Sequence, residues 1–244
     1  MKFTRHEDLE VPPWNAIIWR YMGLDKFLDL ITQHRLFFTN ATHLTDRYEV
    51  SLPVSTVQAK RKELLEEGIS GPDLEKAMAD FEEIYREMRE STLVNCWSLG
   101  RYESYALWKI YLGGSKAGVA IRTNINNLEN SIDAIDDEIY IGKVKYTDFL
   151  REKDTSRVSL VTTKREFYEY EQELRLFILH PLKSEGGVTP PHGRYVSVDV
   201  DLLIPKLYLS PFVGPWFRDS FKSVLEKVSP KLAERIVESS IRDK

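Results

Sequence analysis

Apolar residues recur along this chain with two different periods, and the switches between them outline its elements. Ala16-Ile17-Ile18-Trp19-Arg20-Tyr21 is a short β-prone run bounded by Pro12-Pro13 and Gly23. Leu24, Phe27, Leu28 and Ile31 then recur at helical spacing up to His34-Arg35, and Leu36-Phe37-Phe38-Thr39 resumes as a strand. Over residues 55–89 the pattern becomes wholly helical. A charged helix ends at Gly68, and a second restarts at Gly71-Pro72-Asp73 with proline near its first turn. Leu74, Ala77, Met78, Phe81, Ile84, Tyr85 and Met88 make its apolar stripe. This predicts a helical hairpin over 55–90 inserted between β elements.

Beyond it, residues 92–98 read as a buried strand, 102–112 as a short aromatic helix, 118–122 as a strand and 124–132 as a helix. Residues 138–146 read as one long strand with a bulge at Gly142. Residues 164–169 look helical, and 184–191 form an exposed loop between hairpin-like strands. Residues 195–200 and 207–211 read as strands. Two closing helices follow, 216–228 and 230–241, the second with Ser229 as N-cap and Pro230 at its first position. Strands and helices mix without regular βαβ alternation, which predicts an α+β protein: one mixed sheet system flanked by helices. No linker divides the chain, so residues 1–244 are expected to form one domain carrying the insert.

Tyr170-Glu171-Gln172-Glu173-Leu174-Arg175-Leu176-Phe177-Ile178-Leu179 carries the densest chemistry. Read as one strand, it puts Glu171, Glu173 and Arg175 on one face and Gln172, Leu174, Leu176 and Ile178 on a core face. Three charges on one face must be solvated, paired or used. Two close carboxylates suit chemistry in which positive charge develops on a sugar; the competing reading is a solvated edge with Glu173 paired to Arg175.

Charge and composition narrow the classes. Of 244 residues, 42% are hydrophobic and 30% charged, with Trp 5, Tyr 12 and Phe 11, which excludes a disordered chain. The net charge of −4 gives no global basic field for nucleic acid. The lone Cys96 allows no internal disulfide, the first residues have no apolar run of a signal peptide, and no stretch is long and apolar enough to cross a bilayer. A cytoplasmic protein is the expectation.

No metal-ligand spacing occurs among His6, His34, His43, His180 and His192, and Gly113-Gly114-Ser115-Lys116 lacks the full phosphate-loop pattern. Cys96 lies in an apolar run, as a buried cysteine acting as a small hydrophobe would. Arg20, flanked by Trp19 and Tyr21 in an apolar strand, needs a partner: either a phosphate gripped by its planar fork, or an ion pair with Glu49 or Glu173. Asp46 and Glu49 follow the second strand. Glu103-Ser104, Trp108 and Tyr111 make an acid-bearing aromatic helix face that could stack a planar ring or lie in the core.

Taken in order, these pieces resemble a bacterial domain-of-unknown-function family, family twenty-nine seventy-one. The matching pieces are Trp19-Arg20-Tyr21, Leu36-Phe37-Phe38-Thr39, Asp46 and Glu49, and Cys96-Trp97-Ser98, followed by Glu103-Ser104 with Leu107-Trp108 and Tyr111. Gly118-Val119-Ala120-Ile121, Val144-Lys145-Tyr146 and Glu171-Gln172-Glu173-Leu174-Arg175 complete the set. Asp46-Arg47-Tyr48-Glu49 stands where that family often carries Asp-Pro-Phe-Glu.

More distantly, Arg20, Thr39 and Glu171-Gln172-Glu173 are similar in type and order to the arginine, hydroxyl and Glu-x-Glu motifs of ADP-ribosyltransferases of the arginine-serine-glutamate type. Phe38-Thr39-Asn40 offers one hydroxyl where that family favours Ser-Thr-Ser. The resemblance implies a split sheet, NAD as substrate, and an unknown macromolecular or small-molecule acceptor, or water. It implies catalysis by Glu173, Glu171 and Arg20, with NAD contacts from Arg20, Tyr21, Thr39, Trp108 and Arg175. Glu173 would stabilise oxocarbenium charge, Glu171 would orient or deprotonate the nucleophile, and Tyr21 or Trp108 would stack on nicotinamide. Two alternatives stand beside it: a non-catalytic binding or regulatory module, and a nuclease or other hydrolase holding a divalent metal with Asp46, Glu49 and Glu103.

Overall fold

The computed structural model describes residues 2–148 and 156–241. Strand β1 (Phe3–Thr4) is followed by β2 (Ile17–Gly23), α1 (Leu24–Gln33) and β3 (Arg35–Asn40). Helix α1 ends because His34 turns left-handed at φ 52°, which lets β3 start at once. Helices α2 (Val54–Glu66) and α3 (Gly71–Glu90) occupy the stretch of helical periodicity, joined through Gly68 at φ 85°. Then come β4 (Thr92–Leu99), α4 (Tyr105–Leu112), β5 (Gly118–Asn124) and α5 (Ile125–Ser131). Ser104 and Asn124 cap α4 and α5 by accepting from Leu107 N and Asn127 N.

The second half holds β6 (Ile139–Lys143), β7 (Lys145–Thr147), α6 (Arg157–Val161), β8 (Thr163–Arg165) and β9 (Glu173–Leu179). It closes with β10 (Gly193–Ser197), α7 (Val200–Leu203), β11 (Lys206–Leu209), α8 (Pro215–Val228), α9 (Pro230–Ala233) and β12 (Ile236–Val237). Among the described residues no helix is long and apolar enough to cross a membrane.

Ten strands form one mostly antiparallel sheet in the order β1-β6-β9-β4-β2-β5-β11-β12, with β3 and β10 branching from β4; β7 and β8 make a separate parallel pair. The architecture is α+β. On one face, Phe27, Leu30 and Ile31 of α1, Leu128 of α5 and Leu225 of α8 pack on Ile18, Ile121, Leu174 and Leu176. On the other, Leu107, Trp108 and Leu112 of α4 cover Trp19, Tyr21 and Ala120, while Val158 and Val161 of α6 reach Val94 and Phe177.

Several sequence expectations change. Residues 138–146 are two strands, not one bulged strand: the register from Tyr140↔Phe177 to Lys143↔Leu174 is continuous through Gly142, and the break falls at Val144. Gly142 is instead a close approach, where a Cβ would lie 2.8 Å from Leu9 Cδ2. The final helix is only α9, after which β12 pairs with β11. The loop before β10 makes no hairpin, because β10 pairs with β3. The acidic segment is not one strand: a 3₁₀ turn spans Glu166–Glu171, Gln172 turns left-handed at φ 43°, and β9 starts at Glu173.

The feature that positions the site is a fork in the sheet. One edge of β4 pairs with β9 continuously from Thr92↔Leu179 to Ser98↔Glu173. Its other edge pairs with β2 only at Ser98 and Leu99, and with β3 only at Leu93 and Val94. Between these contacts β2 and β3 splay apart, leaving Asn95, Cys96 and Trp97 without a strand neighbour on that edge.

Candidate functional site: a cleft at the sheet fork

Unpaired backbone groups inside a sheet need partners, and here Arg20 and Asn95 supply them. Arg20 Nη1 donates to Cys96 O at 3.1 Å and to Asn95 Oδ1 at 2.6 Å. Asn95 Nδ2 donates to Phe37 O at 2.9 Å, and Asn95 Oδ1 also accepts from Trp97 Nε1 at 2.8 Å. One amide therefore ties β3 to β4 across the gap and holds the arginine. Arg20 also lies over the Trp97 ring, 5.6 Å from its centroid. Among the described residues no carboxylate pairs with Arg20. Burial lowers its pKa, but an arginine in a protein stays charged, so the guanidinium is held by neutral acceptors alone. The ion pair with Glu49 or Glu173 is not formed.

Both acids are committed elsewhere. Arg175, with no exposed surface, donates Nε to Glu173 Oε1 at 2.8 Å, Nη2 to Glu173 Oε2 at 3.0 Å and Nη1 to Val161 O at 2.7 Å, and also pairs with Glu49. Lys164 of β8 joins the cluster at 3.2 Å from Glu173 Oε2, 2.7 Å from Glu171 Oε2 and 3.5 Å from Glu49 Oε1. Three carboxylates thus meet two cations. Burial would raise the Glu173 pKa, but Arg175 and then Lys164 override it and hold the carboxyl down at about 2. Glu171 goes the other way: burial raises it, and its single bond to Lys164 only partly compensates. Its side chain is 13% exposed against 4% for Glu173.

Arg20, Tyr21, Thr39, Glu171 and Glu173 all border one cleft of about 820 Å³ that follows the fork. Two expected ligand contacts do not. Trp108 is fully buried under α4, its Nε1 donating to Glu103 Oε2 at 3.0 Å, and cannot stack on a ligand. Arg175 has no exposed surface and acts on the cleft through the carboxylates it holds, Glu173 and Glu49. Tyr21 borders the cleft but is buried, with its hydroxyl accepting from Ser104 N at 2.7 Å and its ring stacked on Tyr111 at 6.2 Å. The half-exposed Tyr111 is the aromatic surface on offer there.

The proposed metal triad does not assemble. Asp46 is held by Arg165 at 3.0 and 2.9 Å, Glu49 by Arg175 and Lys164, and Glu103 by Trp108, Ser239 and Ser240 away from the cleft. Among the described residues no group of three His, Cys, Asp or Glu could hold a metal ion. Cys96 borders the cleft, but burial, and then the nearby Glu173 carboxylate, keep its thiol protonated.

Lys164, Asn95, Tyr168 and Tyr170 border the cleft without having been singled out by sequence. Asn95 had a readable signal, as an amide inside the apolar run of β4 needs partners. Val161-Thr162-Thr163 before Lys164 is β-prone, and the strand β8 starts there in place of the helix expected over 164–169. Comparison with protein-family models, curated proteins and solved structures returned no match.

Proposed function

We propose that this cleft binds NAD and breaks its nicotinamide–ribose bond in the manner of an ADP-ribosyltransferase, passing ADP-ribose to an acceptor or to water. The observation that carries the reading is the pairing, on one cleft, of an arginine without a counter-ion among the described residues and two carboxylates of opposite pKa displacement. A guanidinium neutralised by no acid is a receptor for phosphate oxygens. Neighbouring carboxyls pushed apart in pKa divide naturally into a fixed charge and a proton carrier.

Glu173, ionised and rigidly held, stabilises the ribose oxocarbenium by its field. Nicotinamide leaves with the bonding electron pair as a neutral ring, and the nucleophile attacks C1′. Glu171 Oε1, which has no partner among the described residues, takes the nucleophile's proton. Arg20 grips the pyrophosphate, Thr39 offers a hydroxyl, and Tyr111 flanks the leaving ring. The volume is in the range of about 300–1,000 Å³ usual for small-molecule sites. The order of Arg20, Thr39 and Glu171-Gln172-Glu173 and the splitting of the sheet support the reading. A cytoplasmic setting belongs to the same proposal.

The test is nicotinamide release from NAD, with and without candidate protein acceptors. Wild type is expected to release it and Glu171→Gln to release at least about a hundredfold less, the scale of a lost general base. Release by wild type no faster than by Glu171→Gln overturns the reading. The saturation of both Glu173 oxygens favours one rival, a binding module in which the acids are structural; Glu173→Ala would then unfold the protein rather than stop turnover.

A further inference from the structure

Apart from Thr39, the far wall of the cleft is built from residues with no part in the chemistry above. Along β3, Arg35, Phe37 and Thr39 alternate with the buried Leu36, Phe38 and Asn40, so the first three share the face toward the cleft. Tyr195 of β10 lies directly opposite Phe37 in register, its ring 4.9 Å from the Phe37 ring. The Arg35 guanidinium lies over the Tyr195 ring, 3.6 Å from its centroid, and is fixed in its own plane by Asp29 at 3.2 and 2.6 Å. A guanidinium held edge-on by a carboxylate and backed by a phenol is a flat, pre-oriented surface with one face left over. Asp25 and Lys26, exposed on α1, border the same cleft and offer an acceptor and a donor.

We infer that this Arg35–Tyr195–Phe37 platform is a nucleobase subsite, taking the adenine ring of the dinucleotide. Stacking on aromatic and guanidinium planes is how proteins hold bases without groove readout. The inference rests on the NAD reading for the identity of the base. It divides the ligand along the cleft: base on the β3–β10 arm, pyrophosphate at Arg20 in the fork, nicotinamide ribose beside Glu171 and Glu173. The carboxylates and the platform then contact opposite halves of one molecule.

The test titrates AMP and nicotinamide mononucleotide separately into wild type, Tyr195→Ala and Phe37→Ala. Wild type is expected to bind AMP, and either variant to bind it about tenfold or more weakly, the usual effect of losing one stacking partner. Both variants should bind nicotinamide mononucleotide as wild type does. AMP affinity unchanged in both variants, or an equal loss for both ligands, overturns the subsite, as does wild type failing to bind AMP. A melting curve separates loss of stacking from unfolding, and Tyr195→Phe should restore AMP binding if the ring is what matters. AMP bound at the platform without any nicotinamide release would sink the catalytic reading and leave the subsite standing. Release with NAD saturation unaffected by Tyr195→Ala would do the reverse.

Discussion

Arg175 and Arg20 sit only a few strands apart in one sheet, and their surroundings are opposite. Arg175 has two carboxylates, a backbone carbonyl and no exposed surface; its charge is neutralised and its geometry filled. Arg20 has an amide oxygen and a backbone carbonyl, no acid among the described residues, and part of its surface open to the cleft. A desolvated charge without a partner is costly, so a fold keeps one where something else supplies the counter-charge. One arginine is enclosed by its ion pairs; the other is the one proposed to hold a ligand. The same contrast divides the acids, with Glu173 bonded through both oxygens and Glu171 through one.

The largest expected effect separates the arginines by stability. Arg175→Met leaves Glu49 and Glu173 with Lys164 alone and should cost about 3–5 kcal/mol in urea unfolding, as breaking a buried pair does. Arg20→Met removes no ionic partner, and Asn95 Oδ1 keeps the Trp97 indole, but Cys96 O loses its donor, so the effect should be smaller, about 1–2 kcal/mol. Equal losses for the two variants would erase the distinction.

A smaller effect should appear in the acid limb of stability. Glu173 titrates at about 2 in the fold against an ordinary 4.5, so its contribution is complete above pH 4.5 and fades as pH falls toward about 2. Glu171 is displaced upward, so folding favours its protonated form and its contribution fades as pH rises past 4.5. Melting temperatures across that range should fall less steeply with acid in Glu173→Gln than in wild type. Glu171→Gln should gain stability relative to wild type as pH rises. Parallel curves for all three proteins would contradict the opposite displacements.

The strands that build the fork were readable because their apolar alternation is local: β2, β3 and β4 lie where the pattern puts them, and β9 does so from Glu173 on. The acidic pair was readable as a pair, but not its geometry. Period-two alternation places Glu171, Glu173 and Arg175 on one pleated face, whereas the left-handed Gln172 swings Glu171 off the strand on a 3₁₀ turn. Helical spacing grouped Trp108 with Tyr111, yet the helix buries the first against the sheet and leaves the second at the cleft edge. That Arg20 needs a partner was legible. Which acids were already taken was not, because Glu49 reaches Lys164 and Arg175 from a segment far away in the chain, and no periodicity records such a meeting.

Everything proposed for the cleft depends on Arg20 in the fork receiving the phosphates of a nucleotide. The direct measurement is calorimetric titration of ADP-ribose into wild type and into Arg20→Met of matched melting temperature. Saturable binding by wild type and its loss in the variant are expected. Equal affinity in the two proteins, or no binding by wild type, would contradict that role for Arg20.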